Sequence, residues 1–175
     1  MSSHRPTPVE TGTLLYEHLR QEITGPGILS MSRFRELFEE QLNGLGDQFE
    51  GELIIGCMFA AVLAIEETTH PPMGEAVRKG LEGEFQRHLR EQGASEAQVE
   101  EWRVVLGEHF AEYFRSVLGH TDPALPPALG REFMWNLTGV EEENGGLIEA
   151  STVYLTAARI VARRLLRQQL PLRGS

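Results

Sequence analysis

A run of thirteen residues without a charge, Leu53 to Ile65, constrains the fold of this chain more than any other stretch. Acidic residues flank it, with Glu52 before it and Glu66 and Glu67 after it. A helix that is apolar on every side has to be surrounded on every side. The run is shorter than the roughly 20 apolar residues that cross a bilayer, so we expect other helices of the same protein to surround it.

One side of this run carries almost no side chain. Gly56, Ala60 and Ala64 stand four residues apart, which places them on one face of a helix. A face of small residues lets a partner helix approach closely, while larger side chains fill the wider sides. The sequence therefore predicts an all-α bundle packed around a central buried helix at about 48–68.

Helical spacing of apolar residues, together with capping and stop signals, divides the rest of the chain into further helices. The predicted helices cover 9–24, a segment from Ser30 or Ser32 to Gly44 or Gly46, 48–68, 73–92, 95–119, 127–139 and 147–170. A chain of 175 residues suits one hydrophobic core rather than two. We predict a single domain of six or seven helices at 9–170, with a flexible tail at 1–8 and a short tail at 171–175.

Composition narrows the classes of partner. Sixteen Lys and Arg against 26 Asp and Glu give a formal charge of −10, which disfavours nucleic acid and an anionic membrane surface. The single cysteine, Cys57, has no second cysteine with which to form an internal disulfide, and this favours a reducing compartment. No apolar leader segment follows Met1, so we expect a cytoplasmic protein.

Catalytic sequence patterns are missing from the chain. Neither the phosphate-loop pattern G-x-x-x-x-G-K-[ST] nor the nucleophile pattern G-x-S-x-G occurs. Cys57 lies among apolar neighbours, where a thiol behaves as a small hydrophobe. The first hypothesis is a non-enzymatic interaction or regulatory module without a cofactor. It would self-associate, or bind another protein, through an exposed part of an apolar face.

Two histidines border apolar helical stripes. His88 stands beside Phe85 on the predicted fourth helix, whose Glu and Arg residues predict a solvated opposite face. His109 lies seven residues after Trp102 on the fifth helix. Each is either a core histidine whose ring nitrogen is satisfied by a backbone carbonyl or an axial haem ligand, and spacing does not choose between these roles. The candidate cofactor-binding residues are Phe85, His88, Trp102 and His109.

Residues 107–119, which open with Gly-Glu-His and close with Val-Leu-Gly, resemble the penultimate helix of bacterial globins of the flavohaemoglobin type. Residues 46–48 and 60–64 are similar to the region that enters the distal helix of that family. The resemblance covers 46–119 and implies a globin-like arrangement, with His88 at the position of the proximal histidine. The second hypothesis is therefore a globin-like haem-binding or sensor protein.

A third hypothesis involves metal. Glu67 and His70 have the E-x-x-H spacing, which puts a carboxylate and an imidazole on one face of a continuous helix. Di-iron bundles use two such pairs and two further glutamates, whereas this chain has one pair. The hypothesis is a metal–carboxylate helical protein that uses Glu67 and His70 as ligands.

The last predicted helix turns basic towards its end. Cations in the last turns of a helix complement its dipole and form salt bridges. In a chain of charge −10 this interpretation is favoured over an anion-binding stripe. The residues concerned are Arg159, Arg163, Arg164 and Arg167.

Overall fold

The structure, a computed structural model, describes residues 5–38 and 47–170. Within these residues it contains seven α-helices and no strand, which confirms the predicted all-α class. The helices are α1 (Pro8–Thr24), α2 (Met31–Leu37), α3 (Asp47–Thr68), α4 (Pro71–Glu91), α5 (Glu96–Val117), α6 (Pro127–Thr138) and α7 (Gly145–Gln169). The predicted continuation of the second helix over 39–46 lies outside the described residues, as do residues 1–4 and 171–175 of the predicted tails.

Several helix ends fall where the sequence signals place them. The side chain of Ser95 accepts a hydrogen bond from the Gln98 N–H, and the Gln98 side chain accepts one from the Ser95 N–H, which forms a capping box before α5. Gly93, Gly119 and Gly139 have φ values of 92°, 76° and 69° after α4, α5 and α6. This left-handed conformation favours glycine and ends the helices.

Four helices, α1, α3, α4 and α7, begin one or two residues earlier than predicted. Pro8 opens α1 and Pro71 opens α4. Proline is tolerated there because N–H groups in the first turn of a helix have no partner within the helix, so the missing N–H of proline costs no hydrogen bond. The prolines after α3 therefore also start the next helix. Asn144 caps α7 by accepting hydrogen bonds from the backbone N–H groups of Gly146 and Leu147, at 2.9 and 3.4 Å.

The central helix α3 is enclosed as predicted. Its charge-free run is buried along its length, except at Leu63, which is partly exposed. The helix extends beyond the run, and Gln48–Thr68 is long and apolar enough to span a bilayer by length and composition. Its most apolar stretch is 78% buried inside the protein, as in the core helix of a soluble protein. The burial of α3 inside the protein is therefore a stronger argument for a core helix than the short length of its charge-free run.

Glycines allow α1 and α4 to cross with their backbones in contact. A Cβ added to Gly12 would overlap the carbonyl oxygen of Val77 and lie 2.7 Å from the backbone nitrogen of Leu81. A Cβ added to Gly80 would overlap the carbonyl oxygen of Val9. Because backbone atoms cannot turn aside as a side chain can, this crossing requires glycine on both helices.

The narrow face of α3 also receives close neighbours. A Cβ on Gly56 would lie 2.8 Å from Cδ2 of Phe133 on α6 and 3.2 Å from Cδ2 of Leu155 on α7. Ala60 and Ala64 on the same face are fully buried. The predicted close approach of a partner helix is therefore found at Gly56, where two helices contribute.

Cys57 belongs to the core rather than to a reactive site. Its thiol donates a 3.8 Å hydrogen bond to the Tyr154 hydroxyl, which donates a 2.8 Å hydrogen bond to the carbonyl oxygen of Leu29. Burial raises the pKa of Cys57 to about 12, although the contact with Tyr154 acts in the opposite direction. The thiol is therefore protonated and enclosed at neutral pH, as its apolar neighbours predict.

We expect Gly80→Ala to lower the free energy of unfolding by about 1–3 kcal/mol, the usual cost of overpacking. Gly83→Ala on the same helix is the matched control, because a Cβ there meets nothing within 4 Å. That control should gain roughly 0.5–1 kcal/mol, since alanine favours a helix over glycine. Urea unfolding followed by circular dichroism measures both values. Equal stability of the two variants would show that α1 and α4 do not touch at this crossing.

Candidate functional site

A pocket of about 570 Å³ lies between α3, α4, α5 and the turn that joins the last two. It brings together three of the four residues predicted to bind a cofactor, Phe85, His88 and Trp102. Pockets that bind small molecules have volumes of roughly 300–1,000 Å³ and combine apolar walls with a few polar groups. The pocket has the size and the mixed lining of such a site.

Two aromatic rings form part of its wall. The ring centroids of Phe85 and Trp102 are 6.3 Å apart and their planes meet at 87°, an edge-to-face arrangement. Gly51 on α3 makes room for the indole, because a Cβ there would lie 2.8 Å from Cη2 of Trp102. The buried stripes of α4 and α5 therefore meet the first turns of α3 at this pocket.

His88 supplies a buried polar group beside these rings. The residue is 5% exposed, and within the described residues its Nε2 has no hydrogen-bond partner. Burial lowers the pKa of His88, and the positive charge of Arg20 acts in the same direction. The imidazole is therefore neutral at pH 7. A buried polar atom without a partner costs about 1–3 kcal/mol, so this nitrogen lacks a hydrogen bond that would stabilise the folded protein.

Among the remaining described polar residues that line the pocket, one carries a charge. Gln92 and Gln98 contribute amides, and Glu50 contributes a carboxylate. No Lys or Arg is among the described residues that line the pocket. With His88 neutral, the net charge of the lining is therefore negative.

His109 lies outside this pocket and contacts a buried carboxylate. Its Nδ1 is 3.0 Å from Oε2 of Glu52, which is itself 4% exposed. The two atoms are not aligned for a hydrogen bond, so we interpret their contact as an ion pair. Burial alone would lower the pKa of His109, but Glu52, with the nearby charges of Glu112 and Glu108, outweighs it and raises the pKa.

α4 carries a second buried carboxylate, which lies one turn before His88 on the same buried face. The expectation that its Glu and Arg residues are solvated is wrong at Glu84, which is buried. Nε of Arg87 donates to both oxygens of Glu84, at 3.0 and 2.9 Å, and Nη1 of Arg87 also pairs with Glu91. Arg87 is three residues later on the same helix, so it can neutralise Glu84 while remaining half-exposed itself.

Glu67 and His70 do not share a helical face. α3 ends at Thr68, and His70 has an extended backbone with a ψ of 156° before α4 begins. Oε1 of Glu67 accepts a hydrogen bond from Arg159, and Arg163 lies 4.0 Å from its other oxygen. In the described part of the chain, no group of three or more His, Cys, Asp or Glu residues is arranged to hold a metal ion.

Comparison with protein-family models, with curated proteins and with solved structures returns no match to this chain. The resemblance to flavohaemoglobin-type globins therefore stays a prediction. The pocket around His88 is the candidate site, because it combines predicted residues, a suitable volume and a buried polar atom without a partner.

The two histidines should give opposite pH dependences. The pKa of His109 is raised in the folded protein, so its contribution to stability is full below the unfolded value of about 6.5 and is lost as the pH rises through the folded value. The pKa of His88 is lowered, so its contribution is full above about 6.5 and is lost as the pH falls through the folded value.

Urea unfolding between about pH 5.5 and 8 tests this in the variants His88→Gln and His109→Gln, each compared with the wild type so that contributions from other groups cancel. His88→Gln removes the contribution of His88, which is full at high pH, so this variant should lose stability relative to the wild type as the pH rises. His109→Gln removes the contribution of His109, which is full at low pH, so this variant should lose stability relative to the wild type as the pH falls. The reverse order would contradict the two environments described above.

Proposed function

We propose that this chain is a non-enzymatic regulatory module that binds a small, flat ligand in the pocket between α3, α4 and α5. The observation that carries the proposal is the buried imidazole of His88, with Nε2 unpartnered within the described residues, beside the rings of Phe85 and Trp102. This develops the first hypothesis from the sequence by naming a site through which such a module would respond.

The lining favours a neutral or cationic aromatic compound. Phe85 and Trp102 offer ring surface for stacking, and an electron-rich indole attracts a cation. Glu50 adds a negative charge, and the whole chain has a formal charge of −10. An anionic ligand would meet repulsion without a Lys or Arg among the described lining residues.

The ionisable groups near the pocket support binding rather than catalysis. Glu84 is neutralised by Arg87, and Glu52 is paired with His109. Nucleophilic catalysis typically pairs the nucleophile with a base within hydrogen-bond reach. Nε2 of His88 forms no hydrogen bond with any described residue, so it is not part of such a pair there.

Haem is a second candidate because of one observation. A neutral imidazole with an unpartnered Nε2 is the form that binds iron, and the resemblance to flavohaemoglobin-type globins implies the same residue, His88. The charge of the pocket fits haem less well, because Glu50 repels propionate groups and no described Lys or Arg of the lining would pair with them. The uncharged or cationic aromatic ligand is therefore the first candidate.

Tryptophan fluorescence tests the ligand proposal. The chain has two tryptophans, and Trp135 is exposed on α6, so Trp135→Phe leaves Trp102 as the reporter in the pocket. We expect thioflavin T, a flat cation, to quench this fluorescence saturably. Anionic anilinonaphthalene sulfonate should bind with an affinity at least about ten-fold lower. Glu50→Gln should weaken thioflavin T binding by about three- to ten-fold, since a partly exposed charge contact contributes about 1 kcal/mol.

Glu75→Gln is the control for that variant, because it changes the net charge equally at an exposed position outside the pocket lining. It should leave the affinity for thioflavin T unchanged. Equal effects of the two variants would attribute binding to net charge alone. Quenching that never saturates would exclude the pocket as a binding site for flat cations.

The haem candidate predicts a Soret band when haemin is added to the protein. The band should be lost or shifted in His88→Ala and retained in His109→Ala, because only His88 lines the pocket. A wild-type protein that gives no Soret band ends this candidate. Such a result would leave the thioflavin T titration unaffected, so the two candidates are distinguished.

A further inference from the structure

The outer face of α7 carries two exposed aliphatic side chains between opposite charges. Val153 is 61% exposed and Ile160 is 49% exposed. Glu149 precedes them and Arg164 follows them, and both are exposed. Spacings of four, seven and four residues place all four side chains along one face of the helix.

The exposed charges of this face, which also include Arg167 seven residues after Ile160, have no partner in the described part of the chain. Arg159 and Arg163 on the same helix both reach Glu67. Glu149 and Arg164, by contrast, form no ion pair there. The predicted salt-bridging role of the basic end of α7 is therefore found for two of its arginines, and Arg164 is left available for a second molecule.

The pattern on this face is complementary to itself in the antiparallel direction. A two-fold rotation that reverses a second α7 sets Glu149 opposite Arg164 of the second copy. The same rotation sets Val153 opposite Ile160 of the second copy, because the two pairs of residue numbers are centred on the same point of the helix. A parallel arrangement would set like charges opposite each other, which is unfavourable.

The centre of this face has small side chains and its edge has a groove, and both would let a second α7 pack closely against it. Thr156 and Ala157 at the centre are small and half-buried, so a second helix can approach closely. A groove of about 530 Å³ beside Val153 has a mainly apolar lining that includes Leu125 and Ile148. Ile160 of the second copy would lie next to this groove, where its side chain can be buried.

We propose that this face of α7 is a dimer interface, in which two copies of the chain pack α7 against α7 with two-fold symmetry. The self-complementary charges, rather than exposure alone, point to a second copy as the occupant. No residue of α7 lines the pocket around His88, so the interface does not depend on the ligand proposal. One helix pair with its flanking groove is a small interface, so we expect a dissociation constant on the order of 10 µM.

Sedimentation velocity from about 5 to 500 µM protein at low salt tests the charge pairs. Glu149→Arg and Arg164→Glu should each raise the dissociation constant at least about ten-fold, because each sets two like-charged pairs across the interface. An equimolar mixture of these two single variants should form heterodimers. The double variant should dimerise with itself but not with labelled wild-type protein.

Val153→Asp tests the apolar part, and Val104→Asp, at a valine of α5 that is 47% exposed, is its control. We expect the first to be monomeric throughout the concentration range and the second to behave as the wild type. Circular dichroism confirms that each variant is folded. A wild type that stays monomeric at about 500 µM would overturn the proposal, as would a dimer that all of these variants leave unchanged.

Discussion

The structure depends on enclosing one uncharged helix on all of its sides. α3 has no polar edge along its central run, so other helices of the bundle have to cover it, and each can cover only one side. Glycine makes the enclosure compact. Gly12 and Gly80 let α1 cross α4 with backbones in contact, and Gly56 lets α6 and α7 reach the narrow face of α3.

Two of the charges near the ends of this helix are paired with later helices. Glu52 at its first turns meets His109 of α5, and Glu67 at its last turn meets Arg159 of α7. A buried or half-buried ion pair adds little net stability, but a wrongly placed one is costly. We infer that the two pairs fix the rotation of α3 about its axis together with the close contacts of Gly56. The candidate pocket lies beside the first turns of α3, where Gly51 leaves space next to Trp102.

Apolar periodicity and capping signals were sufficient to predict the helices and the central position of α3. The same periodicity brought Phe85, His88 and Trp102 together, because the stripes of α4 and α5 face each other. His109 stands seven residues beyond Trp102, about 10 Å along α5, and therefore meets a different part of α3. Burial of Glu52 was not predictable in this way, because periodicity assigns every charge to the outside and its partner comes from another helix.

Cys57 links the reactivity of the chain to the motion of its core. The chain's single thiol is enclosed by the packing around α3 and kept protonated by burial. Oxidants and alkylating reagents react with the thiolate, which forms readily only when the thiol is in contact with water. They therefore react mainly with molecules whose interior has transiently opened. Irreversible oxidation at this sulfur should therefore accumulate in proportion to the fraction of molecules whose core is open.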